Sequence, residues 1–357
     1  MLRSLPTILL LGLFYYSTTI TNAQALNSLR KGHRQDFFFA NHPPGPDQYG
    51  PYSPIAHQAF SLPTLDDSDP RVVLVYPQNM KVEDQFPLLI FLHGFMGGGW
   101  VTYWGHTALL DGLASFGFIV AAPRSCCVGC PDYYEWEDYP KQALEVLRWV
   151  EESPDHPILQ HVNRTAGYGV LGHSRGGAAT IEAVAKYAQR DSSHMLVEEE
   201  ERRNWKNPEL RPYSVKSRLQ PQENEWPIDA RRDNPHFNIQ ASVLLHSSPS
   251  EFIVNVSIPT ALFTGTLDEC CGEETMKPMY ENLVAAQVPR AYANMEGAQH
   301  TEPNLLHSRW PAYAAAWFHI YLSQQTSGYY YDLIYGNDPD SLCGGSIPMA
   351  EDCEAIP

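Results

Sequence analysis

The run Gly172-His173-Ser174-Arg175-Gly176-Gly177 constrains this chain more than any other stretch. It follows the apolar residues Tyr168, Gly169, Val170 and Leu171, and it leads into a helical pattern over residues 178–187. A strand that turns into a helix through Gly-x-Ser-x-Gly makes a turn so tight that side chains two residues either side of the serine would collide. Gly172 and Gly176 remove those side chains, while Gly177, Ala178 and Ala179 let the helix lie close on its strand. Ser174 Oγ is expected to stand exposed at a helix N-terminus, where the dipole favours developing negative charge. The same five-residue pattern also occurs in ordinary turns. The strand before it and the helix after it are what select a nucleophile here.

The remainder of the chain alternates in a way that suits such a turn. Residues 54–60 and 72–76 read as two opening strands, and residues 88–92 as a continuously apolar strand buried on both faces. A helix is expected over 107–115, stopped by Gly117, then a buried strand over 118–122. From Lys141, apolar residues at Ala143, Val146, Leu147 and Val150 repeat at i, i+3, i+4 and i+7, an amphipathic helix. Strands at 242–246 and 260–265, a helix at 276–286 and a last helix at 311–324 complete the pattern. That last helix, rich in alanine and aromatics, should pack on the sheet rather than hold a cofactor. Strand and helix in alternation imply a mostly parallel sheet with helices on both faces. No internal repeat is visible.

Segments outside this rhythm set the domain organisation. Arg3, the apolar residues 8–16 and the small residues Thr21-Asn22-Ala23 read as a signal peptide over 1–23, followed by an arm over 24–50. One domain is expected over 51–357, interrupted at 188–237 by an insertion with no clear period, either a lid carrying Trp205, Tyr213 and Trp226 or a solvated excursion. Asp66, Asp67 and Asp69 read as a solvated turn, since no EF-hand ladder follows. No apolar run is long enough for a confident membrane span. The formal net charge of −17 argues against nucleic acid or an anionic membrane as main partner.

The seven cysteines fall in three groups: Cys126, Cys127 and Cys130; Cys270 and Cys271; Cys343 and Cys353. On the secretory route their default is disulfides, and no thioredoxin-like flanks support a redox role for Cys127-Val128-Gly129-Cys130. At least one bridge between the Cys126–Cys130 loop and Cys270–Cys271 is expected. Asn163-Arg164-Thr165 and Asn255-Val256-Ser257 are glycosylation acceptors of the same route.

A serine hydroxyl becomes a nucleophile when a histidine takes its proton, and that histidine needs a carboxylate to fix its tautomer. On a strand-turn-helix serine the chain order is serine, acid, histidine. His300, in a glycine-flanked loop, and Asp268, at a strand's C-terminal end, suit those roles. His246, His307 and His319 are rival bases, Glu269 a rival acid, and Glu296 lies too close in sequence to orient His300. Acyl transfer also needs two backbone N–H groups aimed at the developing oxyanion. Arg175 supplies one and Phe95, in the glycine-rich loop His93-Gly94-Phe95-Met96-Gly97-Gly98-Gly99, the other, with His93 as a brace. This chemistry needs no metal or cofactor.

These residues resemble serine hydrolases of the α/β-hydrolase fold, in the branch of plant-type chlorophyllases, cutinase-like polyester hydrolases and platelet-activating-factor acetylhydrolases. The form Gly172-His173-Ser174-Arg175-Gly176-Gly177 is characteristic of chlorophyllases. The loop Gly297-Ala298-Gln299-His300-Thr301-Glu302-Pro303-Asn304 looks like that of cutinase-like enzymes, and Cys343 with Cys353 resembles their terminal disulfide. The resemblance runs from about Gly50 to Cys353. It implies a serine-type carboxylic ester hydrolase acting on a hydrophobic ester, with chlorophyll phytyl-ester hydrolysis as a specific alternative. A catalytically inactive, hydrolase-like binding module is the reading from another class.

Overall fold

The computed structural model describes residues 48–65, 70–94, 99–124, 139–188, 236–306, 308–344 and 349–357. The signal-peptide, Asp66–Asp69 and Cys126–Cys130 segments, nearly all of the arm and the insertion, together with Phe95 and His307, lie outside the described residues.

Nine strands form one sheet: β1 (Ile55–Ser61), β2 (Arg71–Pro77), β3 (Leu88–Leu92), β4 (Ile119–Pro123), β5 (Tyr168–His173), β6 (Ile239–Leu245), β7 (Thr260–Gly265), β8 (Arg290–Met295) and β9 (Met349–Ile356). Their order across the sheet is β1-β2-β4-β3-β5-β6-β7-β8-β9. The block from β4 to β8 is parallel, while β1, β2 and β9 run antiparallel to their neighbours. This is the mostly parallel sheet that the sequence implies. It has the α/β-hydrolase architecture.

Six helices flank the sheet among the described residues: α1 (Gly99–Ser115), α2 (Tyr139–Glu152), α3 (Arg175–Tyr187), α4 (Glu273–Ala286), α5 (Trp310–Leu322) and α6 (Tyr329–Tyr335). Successive strand side chains point to opposite faces, and β3 shows the result. Leu88, Ile90 and Leu92 join one buried cluster with residues of α2, α3 and α4. Leu89 and Phe91 join the other, with residues of α1, α5 and α6. Burial on both faces explains why the central strands read as unbroken apolar runs.

The last long helix packs as expected. In α5 every residue but Tyr321 is buried, and its alanines let Phe318 come down on the sheet. Phe318 lies over Gly169, where a Cβ would stand 2.6 Å from its ring. His319 is part of this packing, with Nε2 2.8 Å from the Phe116 carbonyl and its ring stacked on Tyr330. Cys343 and Cys353 are disulfide-bonded, tying the strand β9 to the segment before it.

The expected bridge from Cys270 or Cys271 is corrected by the structure, where both are free. Cys271 is buried, facing Ser248, and the Cys270 thiol lies beside it rather than reaching another loop.

Candidate active site

The site is assembled at the C-terminal ends of the parallel strands. In parallel register β5 places Gly172 opposite Leu92 of β3, so the turn after β5 sits beside the loop after β3. Ser174 caps α3 with φ 57° and ψ −123°, a strained conformation for a residue with a side chain. Two glycines make this turn possible. A Cβ on Gly172 would lie 2.1 Å from the Gly176 carbonyl oxygen, and one on Gly176 would lie 2.0 Å from that of Leu92. Hydrogen bonds from Ser174 N to Leu245 O, and from Gly177 N and Ser248 N to Ser174 O, all 2.9 Å, fix the backbone.

The serine is less open than expected. Ser174 is only 6 % exposed, because the loop after β3 closes on it: a Cβ on Gly94 would come within 2.9 Å of Ser174 Cβ. His93 in that loop is buried, its Nδ1 2.8 Å from the Gly94 carbonyl, and Tyr139 donates to the His93 carbonyl. Burial lowers His93 to about 4, against the opposing effect of that carbonyl, so the ring is a neutral brace. Arg175 is the exposed first residue of α3, and its N–H follows the serine directly.

Asp268 lies in the turn after β7, and His300 in the loop after β8. His300 Nδ1 is 2.9 Å from Asp268 Oδ2. His246, just past β6, approaches the same oxygen through its Nδ1 at 2.7 Å. Asp268 Oδ1 accepts from the amides of Cys270 and Cys271, each at 2.9 Å. Burial opposes the charge of this carboxylate. The two histidines and the amide of Cys271 more than offset that, holding Asp268 well below the usual carboxylate range. Both Nδ1 atoms therefore donate, which leaves each Nε2 with its lone pair.

The two histidines differ in access. The His246 side chain is fully buried and, among the described residues, its Nε2 has no hydrogen-bond partner, whereas the His300 side chain is 28 % exposed. Burial lowers the pKa of His246 despite its hydrogen bond to Asp268. Of the rivals, Glu269 and Glu296 are exposed, and His319 belongs to the packing of α5.

Two histidines to which the sequence assigns no role, His173 in the serine turn and His106 in α1, complete the arrangement. His173 Nε2 donates to the His300 carbonyl at 2.7 Å, joining the serine turn to the histidine loop. A carbonyl only accepts, so this ring carries its hydrogen on Nε2. Its Nδ1 then accepts from His106 Nε2 at 3.2 Å. Burial, followed by repulsion from His106, His300 and His246, pushes His173 well below the ordinary histidine range and keeps it neutral. Only the fold brings these rings together.

The chlorophyllase family matches residues 52–195, a span that holds β1 to α3 and Ser174 and stops short of Asp268 and His300. Chlorophyllase-1 of Arabidopsis thaliana is 27 % identical over 146 residues, 38 % of this chain and 43 % of that protein. The chain thus spans less than half the length of this curated relative. Among the described residues no helix is long and apolar enough to cross a membrane. In its sheet, its serine turn and its match over residues 52–195, the chain is similar to the chlorophyllase-like branch of the α/β-hydrolases.

Proposed function

We propose that this protein is a serine-type carboxylic ester hydrolase in which Ser174, His300 and Asp268 act as a triad. The observation that carries this reading is the pairing of His300 Nδ1 with Asp268 Oδ2 at 2.9 Å, in loops at the same sheet end as Ser174. Ser174 Oγ attacks the ester carbonyl while His300 Nε2 takes its proton. Asp268 holds the opposite nitrogen and stabilises the imidazolium. The N–H groups of Arg175 and Phe95 receive the oxyanion. Collapse breaks the carbon–oxygen bond, and the alcohol leaves with the proton from His300. Water then attacks the acyl-serine, giving its proton to His300, and the acid is released as Ser174 recovers its hydrogen.

A hydrophobic ester suits the surroundings. Leu267, beside Asp268, is 56 % exposed, and Leu305, in the segment after His300, is 52 % exposed. The match to chlorophyllases over residues 52–195 favours a second, narrower reading, hydrolysis of the phytyl ester of chlorophyll. Entry to the secretory route is part of the proposal, supported by residues 1–23 and by the disulfide between Cys343 and Cys353.

Two substrates test the proposal: a short p-nitrophenyl ester and chlorophyll a, each with the wild type and with Ser174→Ala. Turnover of the short ester that falls by about 10⁴ or more in the variant supports the general reading. Release of chlorophyllide at a comparable kcat/KM supports the narrower one. No turnover of either by the wild type would leave the inactive binding module standing.

A further inference from the structure

The turn between β7 and α4 holds two adjacent cysteines that ester hydrolysis leaves unused. Cys270 and Cys271 are both free, and their Sγ atoms stand 2.8 Å apart. The two are unequal in access: Cys270 is exposed, whereas Cys271 is buried, with its Sγ 3.8 Å from Ser248 Oγ. Burial, reinforced by the neighbouring Cys270 thiol, pushes the Cys271 thiol well up. Cys270 is therefore the one that meets an external reagent. Both residues also donate their backbone N–H to Asp268 Oδ1 at 2.9 Å.

We propose that Cys270 and Cys271 form a site of reversible oxidation to a vicinal disulfide, and that this modification slows turnover by turning a backbone donor away from Asp268. The second half rests on the triad reading above. The oxidant is a small-molecule disulfide, RSSR. The Cys270 thiolate attacks one sulfur of RSSR, whose S–S bond breaks to release RS⁻ and leave a mixed disulfide. Cys271 gives its proton to water, and its thiolate attacks Cys270 Sγ, expelling the second RS⁻. The protein loses two electrons and two protons, and the oxidant becomes two RSH.

The sulfurs have little distance to close, since a disulfide bond is about 2.05 Å long. The backbone is what resists. Bridged cysteines usually have Cα atoms about 4.4–6.8 Å apart, whereas neighbours across a trans peptide are held at about 3.8 Å. Closing the small ring must therefore twist the peptide between the two residues, and that strain makes the bond easy to reduce. The Cys271 N–H belongs to that peptide. The turn around it has no slack: Thr264 Oγ1 holds the Cys271 carbonyl at 2.9 Å, and a Cβ on Gly272 would lie 2.5 Å from the Asp268 carbonyl oxygen. Twist passes to the N–H rather than into the loop. A carboxylate with one donor fewer holds His300 less firmly.

The test is to poise the full-length protein in oxidised glutathione, then in dithiothreitol, and map the peptide carrying both cysteines by mass. The expected result is loss of two hydrogens with no glutathione attached. With it, turnover of a p-nitrophenyl ester should fall about tenfold, the effect of one hydrogen bond to a charged acceptor. Dithiothreitol should restore both. Cys270→Ser and Cys271→Ala should each give an oxidised-to-reduced activity ratio near one, a ratio that cancels differences in basal rate. A peptide that remains a dithiol, stops at the glutathione adduct or links to Cys126, Cys127 or Cys130 would overturn the proposal. A vicinal disulfide with unchanged turnover would overturn its coupling to Asp268. The mass is read whether or not the wild type hydrolyses esters, so failure here is distinguishable from failure of the triad reading.

Discussion

Asp268 accepts two imidazoles on one oxygen and two amides on the other. Replacing it with asparagine puts a donor where the rings need an acceptor, so one ring must turn or change tautomer. Asp268→Asn is expected to lower kcat by about 10⁴, the cost of the wrong tautomer in such triads. His246 and His300 share the carboxylate but differ in reach. His300→Ala should cost on the order of 10⁴ to 10⁶ in kcat, whereas His246→Gln should cost roughly tenfold and lower the melting temperature. Steady-state kinetics with thermal melts on all three variants checks this. A larger kcat loss for the His246 variant than for the His300 variant would move the base to His246. Ser174, Asp268 and His300 are legible as candidates because each sits at an element boundary in the expected chain order. In the sequence His246 stands only as a rival base, because its place on the carboxylate depends on β6 and β7 being neighbours.

The serine turn depends on backbone clearance. Gly176 approaches the carbonyl of Leu92 so closely that no shift of a flexible side chain could admit a methyl group. Gly176→Ala is expected to destabilise the fold by about 3 kcal/mol or more, because both contacts are backbone. Denaturant titration checks this, and an unchanged midpoint would contradict the close approach. The sequence pattern marks most elements of the central block because each buries a periodic or continuous apolar surface. Three elements leave no such signal: β8, whose Arg-Ala-Tyr-Ala-Asn-Met has no long apolar run, and two at the C-terminal end. β9 reads Met-Ala-Glu-Asp-Cys-Glu-Ala-Ile, acidic and without clean alternation, and owes its place to pairing with β8 and to the Cys343–Cys353 bond. α6 is seven residues rich in tyrosine, poor helix formers, and is held by packing on α5.

Across the whole molecule, buried neutral histidines set the response to acid. Burial lowers His93 and His319 to about 4, each opposed by a hydrogen bond to a backbone carbonyl, and His173 lies well below its ordinary value. Unfolded, each titrates near 6.5, so between about pH 6.5 and 4 the unfolded chain binds protons that the folded chain refuses. Stability falls as pH drops through that window, by up to about 1.4 kcal/mol per unit for each ring. Asp268 has the same sign lower down: its contribution is present above about pH 4 and is lost as the pH falls further. The melting temperature should drop by about 10 °C between pH 7.5 and 5.5, with a shallower slope in His319→Gln. A melting temperature that holds or rises on acidification would contradict the burial of these rings.

The triad as a whole is tested most directly by a fluorophosphonate probe, which bonds only to a serine that has been activated. Intact protein and its digests are followed by mass spectrometry for the wild type, His300→Ala and Asp268→Asn. A single adduct on Ser174 is predicted, forming at least about 10³ times more slowly when His300 is removed. An adduct on another residue, or labelling of Ser174 at an unchanged rate in His300→Ala, would contradict the assignment of nucleophile and base.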